Sequence, residues 1–251
     1  MYKFKIFNSL NNDCLKVWKQ FEENSAHNFF QSWSYIYQLI QNSKNSLRIV
    51  VIYSDDQVIA ILPLEIKRYF VFKVLQWIGT GRSDFCNPLI VNDKKFKFNE
   101  IEFLDIWKKI LNKISGFDLI FFNNQPSLID KTYNPFAYLR EKKTFSKVYQ
   151  IKIPNIFNNY KTDIKKFNKK HYYEIHRTLI KLSNLNKISK VSFEVESNFS
   201  NEFEISKIIK RKCDQLNYKK IKHNLNKNFI STLQNLVNSN KKMFFIFNLK
   251  I

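Results

Sequence analysis

The chain has 251 residues, of which 44% are apolar, 25% charged and 16% aromatic, and its formal net charge is +21. That is core material for one large domain or two small ones, and it excludes a chain disordered for want of apolar residues. The longest clean apolar runs, 49–53 and 58–64, fall far short of the roughly 20 residues that cross a bilayer, and residues 2–7 alternate charge and apolar with no signal-peptide core. A soluble, cytoplasmic protein is expected.

Residues 2–7 read as a strand. Residues 10–23 follow as a helix, with Leu15, Trp18 and Phe21 at helical spacing. A second helix is expected over 32–42, with Ser32 as N-cap and Trp33, Ile36, Tyr37 and Ile40 as its apolar face. The β-branched run 47–53, a turn at Ser54-Asp55-Asp56-Gln57 and the returning run 58–67 make a hairpin. Residues 71–78 add a third strand, and a loop with Gly and Asp spans 79–88. A strong helix is expected over 99–114, with Ile101, Leu104, Ile106, Trp107, Ile110 and Leu111 apolar. Short strands follow at 117–122, read as buried, and at 145–153.

After Pro154 the pattern changes. Residues 156–187 read as two basic helices, 190–196 as a strand, 201–217 and 226–239 as helices, and 242–249 as a strand. The second half thus repeats the order strand, helix, helix, strand that opens the first. Two similar units are expected, 1–153 and 154–251, the second lacking its returning hairpin strand. The overall class is α/β (α+β), with mixed sheets and flanking helices. Residues 1–150 carry 21 basic and 14 acidic side chains, whereas 151–251 carry 21 and 7. Lysine outnumbers arginine 36 to 6 and asparagine reaches 30, a bias that A/T-rich codons also produce. Scarce arginine argues against a sequence-specific nucleic-acid reader. Tyr160, Phe167, Tyr172 and Tyr173 lie among lysines in 155–190; such a stretch can stack bases or pack its rings inward.

Cys14, Cys86 and Cys213 and His27, His171, His176 and His223 are scattered, with no CxxC. Neither a disulfide framework nor a metal site is suggested. Cys86 has no evident His base and reads as buried packing.

Several stretches carry a family resemblance. They are Phe29-Phe30-Gln31-Ser32-Trp33, Val58 to Leu64, Leu75-Gln76-Trp77-Ile78-Gly79 with Ser83-Asp84-Phe85 and Asn87-Pro88-Leu89, and His176 to Leu182 leading into Val191-Ser192-Phe193-Glu194. With the order strand, two helices, antiparallel strands, the chain resembles the GNAT acyltransferases. The branch it is most similar to is the cellulose-biosynthesis acetyltransferase-like proteins, which have tandem GNAT-type domains. The resemblance implies acetyl-CoA as donor, no metal, and an amine or hydroxyl acceptor, such as a polysaccharide or cell-envelope precursor. It also implies a longer second unit, so that the chain reads as C-terminally truncated. The related Fem-type aminoacyl transferases use tRNA as donor, and a non-catalytic polyanion-binding or degenerate scaffold is a further alternative.

GNAT enzymes hold the donor pyrophosphate on backbone N–H groups of a Q/R-x-x-G-x-G/A stretch, because glycine lets the backbone approach phosphate closely. Gln76-Trp77-Ile78-Gly79-Thr80-Gly81 fits that pattern, with Arg82 as a pyrophosphate partner; the same residues also read as a two-glycine turn leaving a strand. Asp84 can serve as general base or cap a turn. Trp33 and Trp77 fit an acceptor pocket or a core. Arg177 fits an anionic group or a solvated helix face.

Overall fold

The computed structural model describes residues 2–41, 43–93, 96, 98–139, 169–187, 192–197, 202–221, 225, 227–239 and 245–250. The class is α+β. The chain divides into two compact units, Met1–Lys142 with Phe203–Ser239, and Lys143–Glu202 with Asn240–Ile251.

The first unit is built on strands β1 (Tyr2–Phe7), β3 (Ser46–Ser54), β4 (Gln57–Tyr69), β5 (Phe72–Trp77) and β7 (Leu119–Phe121), hydrogen-bonded in that order. All pairs are antiparallel except β5 with β7. Asp55 and Asp56 both take positive φ, 48° and 63°, as a two-residue hairpin turn requires. Helix α1 (Asn12–Glu22) is capped by Asn11, whose Oδ1 accepts from the Cys14 N–H at 2.9 Å. In helix α2 (Trp33–Gln41) the buried residues are Tyr35, Ile36 and Leu39, a face rotated from the expected one: Tyr37 is exposed and Trp33 half-buried, stacked on Trp18 at 5.6 Å.

Strand β4 decides the rest. Its residues 59–66 are all buried, so both faces are covered. Along one edge it pairs with β3 from Gln57 to Ile66. Along the other it pairs with β5 through Leu64–Tyr69 and with the short β6 (Leu89–Val91) through Ala60 and Ile61. Pro63 sits at the break between those partners. A residue in a strand points its N–H and C=O to the same side, and the Pro63 carbonyl accepts from the Ile78 N–H at 2.9 Å. The donor that proline lacks therefore faces the gap, where no ladder bond is lost. Strand β6 also pairs with β2 (Ser25–Ala26).

Helix α3 (Glu100–Lys113) covers one face of the sheet. Asn99 caps it, accepting from the Glu102 N–H at 2.8 Å, and Phe103, Ile106, Trp107 and Ile110 are buried. Ile101, expected on the apolar face, is 81% exposed; Phe103 takes that role because it lies one helical turn from Trp107. After β7 a hairpin, β8 (Leu128–Ile129) with β9 (Thr132–Tyr133), leads to a 3-10 turn at Pro135–Tyr138. That turn inserts Phe136 among Trp77, Phe103, Trp107 and Phe122, with ring centroids 4.9, 5.1, 5.1 and 5.4 Å away.

Strand β7 is shorter than expected and is not buried: Leu119, Ile120 and Phe121 are 51, 42 and 52% exposed. It pairs only with β5 among the described residues, so its outer side has no neighbour to exclude water.

Helix α4 (Lys169–Asn186) and the antiparallel pair β10 (Ser192–Ser197) and β11 (Phe245–Lys250) belong to the second unit. The expected strand at 145–153 and first basic helix lie outside the described residues. Between β10 and β11 in sequence run α5 (Glu202–Tyr218) and α6 (Lys227–Ser239). Order and pairing match β1, α1, α2, β3 of the first unit, where β1 and β3 also pair antiparallel. Yet residues 203–239, which hold nearly all of both helices, cluster with the first unit. There α6 buries Leu236 and Val237 and packs on α2.

Phe136→Ala should remove the shared partner of four rings and cost about 3–5 kcal/mol of unfolding free energy, measured by chemical denaturation. Leu128→Ala, at a 56% exposed site, should stay within about 0.5 kcal/mol of the parent.

Candidate functional site

Strands β5 and β6 lie almost end to end against β4. Between the Trp77 partner, Leu64, and the Leu89 partner, Ile61, β4 advances three residues while the other chain passes through 78–88. That surplus is ejected as a loop at the carboxyl end of β5. Strand β7 runs parallel to β5, so its own carboxyl end, 122–125, arrives at the same place. Loops at the carboxyl ends of parallel strands are where open sheets bind ligands.

The two loops are tied together. The Asn124 carbonyl accepts from the Cys86 N–H at 3.0 Å, and Asn124 Nδ2 donates to the Ser83 carbonyl at 3.0 Å. From the other side, Gln31 Nε2 donates to the Phe85 carbonyl at 2.8 Å and Asn28 Nδ2 to Asn87 Oδ1 at 2.9 Å. Ser83 Oγ donates to the Tyr35 hydroxyl at 3.2 Å, and burial pushes that phenol above its usual pKa. Four amide oxygens flanking the loop, Asn28 Oδ1, Gln31 Oε1, Asn123 Oδ1 and Gln125 Oε1, are buried with no hydrogen-bond partner among the described residues. A buried acceptor left without a donor is costly, so these four atoms are suited to a ligand carrying N–H or O–H groups.

Gly79 and Gly81 take φ of +90° and +80°, which L side chains rarely adopt. A Cβ on Gly79 would meet Ser83 Oγ at 2.4 Å, whereas one on Gly81 would meet nothing within 4 Å. Gly79 is required by space and conformation, Gly81 by conformation alone. The N–H groups of Thr80, Arg82 and Ser83 are spent within the turn, on the carbonyls of Trp77, Gly79 and Gly79. The Gly79, Gly81 and Asp84 N–H groups have no partner among the described residues and are the ones able to receive an anion. Arg82 and Asp84 are exposed beside them.

Gln76 is placed differently from the glycines. It is 1% exposed, its Nε2 donates to Glu65 Oε1 at 2.8 Å, and its Oε1 accepts from the Tyr69 hydroxyl at 3.0 Å. Both ends of the amide are engaged inside the sheet. Trp77 is core, 1% exposed, and Trp33 stacks between Trp18 and Tyr37. Arg177 is an exposed residue of α4, in the second unit. The structure thus gathers Gly79, Thr80, Gly81, Arg82 and Asp84 at one place, with Gln76 one strand end away. Cys86 is fully buried, and burial pushes its thiol up to about 12, so it packs and does not attack.

Glu65 escaped the sequence reading. It is 5% exposed, with Oε2 accepting from Asn45 Nδ2 at 2.9 Å in addition to the Gln76 bond. Burial raises its carboxyl above the ordinary range, against the pull of Asn45 and Gln76 and of the Lys67 and Arg82 charges. The available signal was a lone carboxylate inside the apolar run 58–66. The amides at 123–125 were likewise legible as a polar cluster but had no partner loop in sequence. No protein-family model matches the chain, and no curated protein or solved structure matches it either.

Because Glu65 holds its proton more tightly folded than unfolded, its stabilising contribution is complete below about pH 4.5 and is lost as pH rises through the folded-state value. Glu65→Gln should remove that loss. The melting temperature of the variant minus that of the parent should grow more positive from about pH 4 to about pH 8. A difference that stays flat would mean that Glu65 titrates as an ordinary carboxyl.

Proposed function

We propose that the first unit is a GNAT-type acyltransferase that moves an acetyl group from acetyl-CoA to an amine or hydroxyl. The observation that supports this reading most is the left-handed two-glycine turn, 79–81, at the carboxyl end of β5 beside the parallel strand β7. It stands in a unit whose element order, strand, two helices, three antiparallel strands, is the order on which the resemblance rests.

In this reading the free N–H groups of Gly79, Gly81 and Asp84 hold the donor pyrophosphate, with Arg82 adding charge. The donor's pantetheine arm carries two amides, and the unpartnered oxygens of Asn28, Gln31, Asn123 and Gln125 are acceptors for such N–H groups. The acceptor attacks the thioester carbonyl directly, the C–S bond breaks as the tetrahedral intermediate collapses, and coenzyme A leaves as a thiolate that takes up a proton. A carboxylate takes the acceptor's proton. Asp84, exposed in the loop, is the residue for that role. The acceptor class, a glycan or cell-envelope precursor, follows from the resemblance alone.

Acetyl-CoA should raise the melting temperature of the full chain. Arg82→Ala should weaken binding about tenfold, the scale of one charge-assisted hydrogen bond, while leaving the unliganded melting temperature unchanged, because the side chain is exposed. Calorimetric titration reads the first and thermal denaturation the second. No binding of acetyl-CoA by the parent would leave the turn as a structural feature and the unit without this donor.

A further inference from the structure

The tip of the β4–β5 hairpin, Tyr69-Phe70-Val71-Phe72, reverses the usual chemistry of a turn. A turn position at positive φ is ordinarily Gly, Asn or Asp. Here Phe70 holds it, at φ 54°, in a chain with 30 asparagines. The ring is 95% exposed, and Val71 and Phe72 follow at 74 and 52%. Local stability is given up to present apolar groups to solvent, a pattern that belongs to sites of contact.

Beside the tip lies a groove of about 450 Å³. Lys44, Arg48, Lys67, Arg68 and Lys73 line it, and among the described residues no carboxylate does. Arg68 Nε donates to the Phe70 carbonyl at 3.0 Å, so the cation and the apolar tip are held in one piece. The nearby carboxylates are turned to other work. Asp118 accepts from the Lys73 backbone N–H at 2.7 Å, and Glu65 is buried against Asn45 and Gln76.

We propose that this end of the first unit docks on the surface of an anionic lipid bilayer. Phe70 and Val71 enter the boundary between headgroups and acyl chains, and the five cations of the groove hold lipid phosphates and carboxylates. An apolar tip with cations behind it matches the layering of such a surface, in which long basic side chains reach the headgroup level. A single-stranded nucleic acid fits less well. It needs flat stacking faces along a basic track, and Val71 and the nearby exposed Leu119 have none. The proposal concerns surface binding: no helix among the described residues is long and apolar enough to cross a membrane. It does not depend on acyl transfer.

The test is co-sedimentation of the full 251-residue chain with phosphatidylcholine vesicles, with and without phosphatidylserine. The parent should favour the anionic vesicles by about tenfold or more, since each cation near such a surface strengthens binding about fivefold. Phe70→Asn with Val71→Ser should reduce that binding by about tenfold without lowering the melting temperature, because asparagine suits the Phe70 backbone. Arg68→Gln with Lys73→Gln should reduce binding to anionic vesicles and leave neutral ones unaffected. Acetyl-CoA binding should be the same in both variants. Equal binding to both vesicle types, no binding to either, or anionic binding indifferent to the tip variant would overturn the proposal. So would binding of a single-stranded RNA oligonucleotide, lost in the tip variant, by a chain that ignores vesicles.

Discussion

The first unit depends on one strand whose two edges are both in use and whose two faces are both dry. Strand β4 pairs with β3 from Gln57 to Ile66 on one side and with β5 and β6 in succession on the other. Since 59–66 are buried throughout, every polar group there must be satisfied inside the protein. Two features follow. Pro63 is tolerated because its missing donor falls where one neighbour ends and the next begins. Glu65 is tolerated because Asn45 and Gln76 reach its two oxygens.

The same geometry makes the candidate site. Two short strands share an edge that one strand would normally occupy, so the chain between them has far more length than distance to cover. The surplus becomes the 78–88 loop, and the glycines at 79 and 81 are the residues that let the backbone turn out of the sheet. The loop does not hang free. Asn28 and Gln31 on one side and Asn124 on the other donate to its Asn87 side chain and its Phe85 and Ser83 carbonyls, and the oxygens of Asn28, Gln31, Asn123 and Gln125 beside them have no donor among the described residues. Unpaired acceptors at the flanks of this loop carry a cost in local stability.

At the opposite end of β5 the constraint is relaxed and the surface changes character. At the tip of the β4–β5 hairpin Phe70, Val71 and Phe72 meet solvent. The groove behind them collects cations from β3, β4 and β5 and from Lys44, two residues before β3. Ligand loop and basic tip thus lie at the two ends of one strand pair. A change at one leaves the other to be tested separately.

Much of this was legible in one dimension. Residue period gave α1, α2, α3 and the β3–β4 hairpin with its Asp55-Asp56 turn. The two glycines at 79 and 81 marked the loop, and the residue pattern placed strands at 190–196 and 242–249, found at Ser192–Ser197 and Phe245–Lys250. These features are local, set by caps, turns and alternation, and local preferences are written in neighbouring residues. What tertiary structure alone decided were the matters of partnership. It placed Gln76 on Glu65 instead of on the loop, left β7 exposed with β5 as its one strand partner among the described residues, brought 123–125 against 83–86, and packed α6 on α2 of the first unit. Each depends on residues 11 to about 200 positions apart and their placement across a sheet edge or a helix face. Nothing in a window of sequence carries that information, because burial and hydrogen-bond satisfaction are properties of the assembled fold.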